Sequence, residues 1–255
     1  MGDSFRQSED RGWFEVVEQV GITRHCKTSG KSCASTFQTI LWRHRLYSQD
    51  SPEDIVGTVR DIAPIMLEAV TSKEAKQLWN EYVARYHYLG HKKPFGFRLR
   101  YFIACGHGLL GCVLFSGAAK SIGSRDRWIG WIEQQRLRNL AWVINNSRLL
   151  IFPWVRLLNL ASHVLGQISR RIASDWNDLW GYRPILLETF VDPIHYEGVC
   201  YKAANWRYVG MTTGEGLVRN DKTYVTSPKK VFVYPLQRDF RAALCSDQLV
   251  GRVEL

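Results

Sequence analysis

The chain has 255 residues, 45% of them apolar, so it can bury one sizeable core, or form one main domain with a smaller appendage. Its 34 Lys and Arg against 24 Asp and Glu leave a net charge of +10, which favours polyanionic partners such as DNA, RNA or phosphorylated ligands. This composition excludes a wholly disordered chain, and no apolar run is long enough to cross a membrane.

The six cysteines do not have the spacing of a zinc ribbon, because no Cys-x-x-Cys pair occurs. Cys105 and Cys112 lie in apolar, strand-like segments and are interpreted as buried free thiols, so no metal site is predicted. The N-terminal segment has no basic region followed by an apolar core, so no signal peptide is predicted. We expect a cytoplasmic protein with reduced thiols and no membrane partner.

Residues 1–70 are predicted to form a helical extension. Helical patterning covers residues 13–20, and residues 37–46 mix aromatic, apolar and basic side chains. This second segment is interpreted as a solvated helix with an apolar stripe, and the alternative is a backbone contact with nucleic acid. Ser51 followed by Pro52 is a helix-start signal, which predicts a helix to Leu67.

Residues 71–240 are predicted to form an α/β domain with a mixed sheet, and residues 241–255 a tail. A helix at 72–86 precedes a hairpin whose strands, 98–105 and 109–115, flank a Gly-His-Gly turn. The remaining predicted elements are strands at 148–152, 185–191, 207–212 and 229–236, a long helix at 159–176 and a short helix at 195–204.

Polar clusters lie where apolar segments end, which is where an α/β fold places its chemistry. His87, between two tyrosines, is predicted as a general base or an anion contact, with local backbone bonding as the alternative. Arg125, Asp126 and Trp128 combine a charged fork with an indole, which favours phosphate binding and ring stacking. The alternative for this second cluster is a surface turn whose indoles pack into the core.

Two further polar segments flank the predicted strand at 148–152. They are Asn145, Asn146, Ser147 and Arg148 on one side, and Asn159, Ser162 and His163 on the other. Because the amides at a helix N-terminus favour anions, the turn before Ser162 is predicted to hold a phosphate or pyrophosphate. We also expect Arg125 and Asp126 to converge on the Asn145–Arg148 segment, which requires the intervening chain to turn back.

Glu188 lies within a predicted strand among apolar neighbours, where an unpaired carboxylate is costly, so it is predicted to be paired or functional. Tyr201 lies on the following short helix, and Asn205 and Trp206 come directly after it. We predict that Tyr201 and Glu188 line the same cleft, where both would move protons.

The order strand, helix, strand is followed by Tyr201, Trp206 and Gly210 in a Tyr-x-x-x-x-aromatic-x-x-x-Gly segment. This arrangement resembles the C-terminal half of the GCN5-related N-acetyltransferase fold. The resemblance implies an acyltransferase-like mixed sheet flanked by helices, and Tyr201 as general acid toward a leaving thiolate. It leaves acyl-CoA or a nucleotide open as cofactor, and residues 156–162 have no glycine where acetyltransferases usually carry a Gly-rich pyrophosphate loop.

A wider set of motifs covers residues 72–236. They are Tyr88-Leu89-Gly90, Leu114-Phe115-Ser116, Arg125 to Trp131, Asn145 to Arg148, Asn159 to His163, Leu187 to Pro193 and Tyr201 to Trp206. In this order they resemble the DruA family of the Druantia anti-phage system, which also occurs joined to or beside transposases. The resemblance implies a role in phage defence or in a mobile element, with other defence-system or transposon proteins as partners. The family's Gly-Glu-Thr-x-Gly-Arg-Gly segment is replaced by Gly-Met-Thr-Thr-Gly-Glu-Gly at residues 210–216.

Two main functions stay open. The first is a group-transfer enzyme acting on a nucleic-acid or protein target, with its ligand between the strands at 148–152 and 185–191. The second is a non-catalytic module that binds or senses DNA or RNA. Its phosphate and stacking contacts would come from Arg125, Arg127, Arg148, Arg156, Trp128 and Trp206.

A metal-dependent nuclease is the third hypothesis. It requires Asp126, Glu188 and Asp192 to converge on one ion. Their local sequence contexts differ, which disfavours this function.

Overall fold

A computed structural model describes residues 53–92, 94, 96–214 and 226–247. Its strands are β1 (Ile55–Thr58), β2 (Met66–Ala69), β3 (Arg98–Cys105), β4 (Gly108–Gly117), β5 (Val143–Ile151), β6 (Val155–Leu158), β7 (Leu186–Val191), β8 (Arg207–Met211) and β9 (Lys230–Pro235). Its helices are α1 (Lys73–Tyr86), α2 (Gly123–Ile129), α3 (Glu133–Asn139), α4 (Leu160–Trp180), α5 (Val199–Ala203) and α6 (Phe240–Leu244). The predicted segments at 13–20 and 37–46, and the helix start at Ser51, lie outside the described residues.

Within the described residues, seven strands form one mixed sheet in the order β2-β3-β4-β5-β7-β9-β8, and β1 pairs with β6 in a two-stranded sheet. β5 and β7 run parallel, whereas β2 and β3, β7 and β9, and β8 and β9 run antiparallel. The predicted α/β class with a mixed sheet flanked by helices is confirmed.

Several elements follow their sequence signals closely. The Ser72 hydroxyl accepts a hydrogen bond from the Ala75 amide at 3.1 Å, so Ser72, where the helix was predicted to start, is the N-cap of α1. The predicted hairpin is present as β3 and β4. α4 contains the predicted buried stripe and runs on to Trp180, and it stops at Gly181, whose φ of 77° suits glycine.

The predicted helix up to Leu67 is wrong, since β1 and β2 occupy this region. Gly57 has a φ of 139°, and the Asp61 carboxylate accepts a hydrogen bond from the Thr58 amide at 2.7 Å, which closes a turn. Pro64 lacks the amide that a helix interior needs. These local preferences outweigh the helix-start signal.

The first of two compact units includes, among the described residues, 53–91, 101–112 and 150–156. The indole of Trp79 on α1 is fully buried and donates to the Tyr101 carbonyl at 3.0 Å. Cys105 and Cys112 are buried free thiols, as predicted. Burial raises the pKa of the Cys112 thiol well above its usual range, which makes it unreactive.

The second unit includes residues 96–100, 113–149, 157–214 and 226–247 of the described chain. Its core gathers buried side chains from α2, the start of β5, β7, β9 and α6. They are Ile129, Trp131, Val143, Ile185, Leu186, Val233, Phe240 and Leu244. This unit holds all the predicted site residues except His87 and Arg156.

Candidate functional site

The parallel strands β5 and β7 separate part-way along their length. Their register runs from Val143 opposite Leu186 to Asn145 opposite Glu188, although both strands continue beyond that point. At the next position the Thr189 hydroxyl donates to the main-chain carbonyl of Asn146 at 3.1 Å. A side-chain hydrogen bond therefore follows the end of the backbone ladder, at the point where the strands diverge.

Glu188 points to one face of β7, and both of its carboxylate oxygens accept hydrogen bonds. Oε1 accepts from the Ala119 amide at 2.8 Å, and Oε2 accepts from Nη1 of Arg125 at 2.6 Å. Both side chains of this ion pair are 0% exposed. The prediction that Glu188 is paired or functional is confirmed, because Glu188 pairs with Arg125.

Asp126 completes the surroundings of the Arg125 guanidinium. Its Oδ1 accepts from Nε of Arg125 at 2.9 Å and from the indole of Trp131 at 3.0 Å. Burial opposes the charge of Arg125, but the carboxylates of Glu188 and Asp126 outweigh it and raise the pKa of the guanidinium above its ordinary value. Arg125 is thus a buried structural cation, which contradicts its predicted contact with a phosphate.

Tyr201 lies in a second buried polar cluster, formed by Tyr201, Asn146 and Thr189. Its hydroxyl donates to Oδ1 of Asn146 at 2.6 Å and lies 3.3 Å from the Thr189 hydroxyl, whose single proton is shared between the Tyr201 oxygen and the Asn146 carbonyl. The Asn146 amide group in turn donates to the carbonyls of Leu114 and Arg148, each at 3.1 Å. We call this set the tyrosine cluster.

The backbone before α5 determines where the Tyr201 phenol lies. Gly198 has a φ of 75°, and a Cβ there would meet the ring of Phe232 at 2.7 Å, so only glycine fits. The phenol ring stacks on Phe232 at 5.8 Å and meets Trp206 edge-on at 5.1 Å. Both contacts come from the strand region that follows α5 in sequence.

The predicted shared cleft of Tyr201 and Glu188 is wrong. Tyr201 bonds to Thr189, and Thr189 is adjacent to Glu188 on β7, where successive side chains point to opposite faces. The two residues therefore lie on opposite sides of the strand. The alternation of side chains along β7 could be predicted from the sequence, but the face of β7 on which Tyr201 of α5 packs could not.

Asn145, Asn146, Ser147 and Arg148 lie within β5 rather than before it. Asn145 is the register partner of Glu188, and the Glu188 carboxylate binds Arg125. Glu188 therefore links Arg125 to the strand that carries Asn145. The intervening chain turns back because α3 ends at Asn139 and a 3₁₀ turn follows. The hydroxyls of Ser147 and Ser116 bond to each other, and Arg148 donates to the Ser147 carbonyl at 2.6 Å.

The other predicted site residues have local partners. His87 belongs to the first unit, and its Nδ1 accepts from the Leu89 amide at 3.2 Å. At the start of α4, Asn159 has a φ of 64°, and the Ser162 hydroxyl donates to its carbonyl at 3.0 Å. His163 bonds to Gln167 through its ring at 3.0 Å.

Trp206 is only 4% exposed and packs on Tyr201 and Tyr234, so it cannot stack on a nucleobase as predicted. Asn205 is exposed and has a φ of 62°, and its amide donates to the Lys202 carbonyl at 3.0 Å. Asn205 therefore ends the turn of α5 and faces solvent. No hydrogen bond joins it to the tyrosine cluster among the described contacts.

Trp128 is the centre of an exposed cationic surface that sequence reasoning did not assemble. Its ring stacks on Phe240 at 4.9 Å, and the guanidinium of Arg241 lies 4.6 Å from both ring centroids. Arg241 also donates through Nε and Nη2 to the Trp128 carbonyl, at 3.2 and 3.0 Å. Arg207 approaches the same indole at 6.0 Å.

We call Arg127, Arg207, Arg238 and Arg241 the arginine patch. All four are exposed, and none forms an ion pair with another residue in the described part of the chain. Arg127 adjoins Trp128 in α2, and Arg238 lies close to Phe240 in sequence and in space. More than a hundred residues separate α2 from α6, so no local motif could reveal the patch.

No group of three His, Cys, Asp or Glu side chains that could hold a metal ion occurs in the residues that the structure describes. Asp126 and Glu188 both contact Arg125, whereas Asp192 accepts from the Ile194 amide and the Ser227 hydroxyl. The three carboxylates of the nuclease hypothesis therefore do not meet at one ion. Among the described helices, none is long and apolar enough to span the membrane.

The family described as Druantia protein DruA matches residues 20–224, which is most of the chain. The chain belongs to the DruA family. This family is a component of the Druantia anti-phage system, as the motif order had implied. Among curated proteins, none matches the sequence significantly.

Solved structures of N-acetyltransferases are similar to the chain at low identity. Aminoglycoside acetyltransferase AAC(6')-Ib with coenzyme A and kanamycin is 13% identical, with a TM-score of 0.44, and the match covers 68% of this chain and 95% of that one. An N-acetyltransferase from Staphylococcus aureus Mu50 is 12% identical, with a TM-score of 0.43 and coverages of 69% and 100%. A polyamine N-acetyltransferase from Drosophila melanogaster is 11% identical, with a TM-score of 0.41 and coverages of 68% and 100%. At these values the likeness says nothing about activity, substrate or cofactor.

The mixed sheet flanked by helices that the sequence predicts is present. The region between β5 and β7 does not fit an acyl-CoA as it stands. The Thr189 hydroxyl already bonds to the Asn146 carbonyl there, and the Tyr201 phenol and the Asn146 amide bond to each other. The segment from β6 to α4 also supplies no glycine for a pyrophosphate. Acyl-CoA would have to displace an intact hydrogen-bond network.

Proposed function

We propose that this DruA family member binds nucleic acid through the arginine patch, as a non-catalytic component of anti-phage defence. The observation that supports this most directly is the set of four exposed arginines around Trp128 and Phe240. Guanidinium groups bind phosphate oxygens through paired N–H donors. A cation without an acidic partner keeps those donors available.

Arg241 is the best-positioned of these groups. Its hydrogen bonds to the Trp128 carbonyl hold the guanidinium in place, and Nη1 is left for a phosphate. Because the side chain is held by these bonds and by two aromatic rings, it loses little conformational freedom on binding. The net charge of +10 adds a long-range attraction for polyanions.

Salt dependence of binding tests the proposal. With about four phosphates contacted, log affinity for a DNA duplex should fall against log salt with a slope of roughly −3 to −4. The variant Arg207→Ala/Arg241→Ala should make that slope shallower by about 2. The measurement is fluorescence anisotropy with a labelled duplex over a salt series.

Arg156→Ala is the matched control. Arg156 is also exposed, but it pairs with Asp54 at 3.3 Å, so its removal costs the same formal charge without removing a free guanidinium. We expect its salt slope to equal that of the wild type. Equal effects of Arg156→Ala and Arg241→Ala, or a flat salt response of the wild type, would contradict the proposal.

Group transfer by the tyrosine cluster is the second candidate function. The observation that favours it is a buried phenol, with two polar partners, at the point where parallel strands diverge. In this function Tyr201 would give its proton to a leaving group, and Asn146 would orient the phenol. Glu188 has no part in it, because its oxygens are used on the other face.

Mass spectrometry of ligand retained on the purified full chain separates the two candidates. A retained acyl thioester or nucleotide that is lost in Tyr201→Phe would favour group transfer. If no ligand is retained and Tyr201→Phe binds nucleic acid like the wild type, the non-catalytic function stands.

A further inference from the structure

An open depression adjoins the arginine patch. It is lined by Pro235, Leu236, Gln237, Arg238 and Phe240 and has a volume of about 360 Å³. It is open to solvent, so a group bound there stays partly exposed. Phe240 belongs to both features, since its ring also stacks on Trp128 and lies under the Arg241 guanidinium.

We propose that this depression receives one unpaired base of a single-stranded nucleic acid whose phosphates bind the arginine patch. The proposal rests on the nucleic-acid binding proposed above and adds a preference for single strands. Inside a duplex a base is paired and stacked, so it reaches such a depression only if it is unstacked at a cost.

The chemistry of the lining matches a base with a phosphate on either side. Pro235 and Leu236, both half-buried, supply apolar surface for the ring. Gln237 is exposed and carries both a donor and an acceptor for the edge of a base. Arg238 is the cation of the lining, and the Arg241 guanidinium lies 4.6 Å from the centroid of the Phe240 ring.

The charge around the depression is positive, which favours a polyanion as the ligand. One carboxylate, Asp239, lies beside Arg238 in the chain and is exposed. The arginines nearby are Arg238 in the lining and Arg207 and Arg241, which both lie near the Trp128 ring. The balance of charge is positive, which suits a polyanion.

Three labelled ligands test the proposal with the full-length chain: a single strand of mixed sequence, the same strand with abasic sites throughout, and the matching duplex. All three present phosphates, but only the first offers unpaired bases. We expect anisotropy to report about tenfold weaker binding of the abasic strand than of the normal one. Their salt slopes should agree, because the phosphate contacts are the same.

A protein variant locates the base. Gln237→Leu removes the donor and the acceptor that would contact the edge of the base, so it should lower affinity for the normal strand toward that for the abasic strand and leave duplex binding unchanged. Arg241→Ala should weaken binding of all three ligands. Urea denaturation verifies that both variants fold, and the abasic comparison needs no variant.

The outcomes separate this proposal from the proposed nucleic-acid binding on which it rests. If none of the ligands binds, nucleic-acid binding itself is wrong. If all three bind equally, or the duplex binds best, binding stands but the base site is overturned. A Gln237→Leu variant that binds the normal strand as tightly as the wild type would place the base elsewhere, which also overturns the proposal.

Discussion

Arg125 and Arg241 show how one residue type serves two purposes in the same unit. Arg125 is 0% exposed and is surrounded by the carboxylates of Glu188 and Asp126. Arg241 is exposed, lies on two aromatic rings and bonds to a carbonyl, with no acid among its described contacts. The first guanidinium is neutralised inside the protein, and the second is held in place for a partner outside it.

The difference bears on how charge predicts function. Arg125 adds to the net charge in the sequence, but its field is cancelled locally and contributes nothing to a phosphate contact. Arg241 adds the same formal charge where water and ligands reach it. A basic composition therefore indicates a polyanion partner only after buried cations such as Arg125 are set aside.

The largest expected effect is on the buried ion pair. Glu188→Gln leaves Arg125 buried with only Asp126 as a charged partner, so we expect the free energy of unfolding to fall by about 3 kcal/mol. Urea denaturation gives this value directly. This loss in the free energy of unfolding is at the low end for a broken buried ion pair, because Arg125 keeps Asp126 as a partner.

Glu133→Gln is the control for this variant. Glu133 pairs with Arg136 at 3.0 Å, but its side chain is 78% exposed, so the loss should stay within about 1 kcal/mol. Comparable losses in the two variants would mean that burial of the carboxylate does not separate Glu188 from an exposed partner of a buried arginine.

Much of the fold could be predicted because its signals are local. Ser72 and the buried stripe of α4 are contained in short segments, and both were recognised. The arginine patch could not be predicted, because Trp128 and Arg241 meet only through the packing of α6. Glu188 is intermediate: its need for a partner follows from burial in a strand, but the identity of Arg125 depends on tertiary structure.

The next expected effect concerns the tyrosine cluster. This cluster is a neutral buried network, in contrast to the charged network around Arg125. Tyr201→Phe removes the donor to Oδ1 of Asn146 and should lower the free energy of unfolding by about 1–3 kcal/mol. Thr189→Val removes the bond to the Asn146 carbonyl. Because both residues also bond to each other, their effects should couple by at least about 0.5 kcal/mol in a double-mutant cycle. Additive effects would mean that the two hydroxyls act independently.

The smallest expected effect on stability is at Arg241, where the comparison is sharpest. Arg241→Lys keeps the charge but removes the planar fork that bonds to the Trp128 carbonyl. Since the side chain is exposed, the free energy of unfolding should change by no more than about 0.5 kcal/mol. Affinity for a phosphate backbone should fall with little change in the salt slope, because the number of charges is preserved while their positions are not. Anisotropy at several salt concentrations separates these quantities. If lysine binds as well as arginine, the patch acts through charge alone, and the fixed geometry of the guanidinium is not what distinguishes Arg241 from other exposed cations.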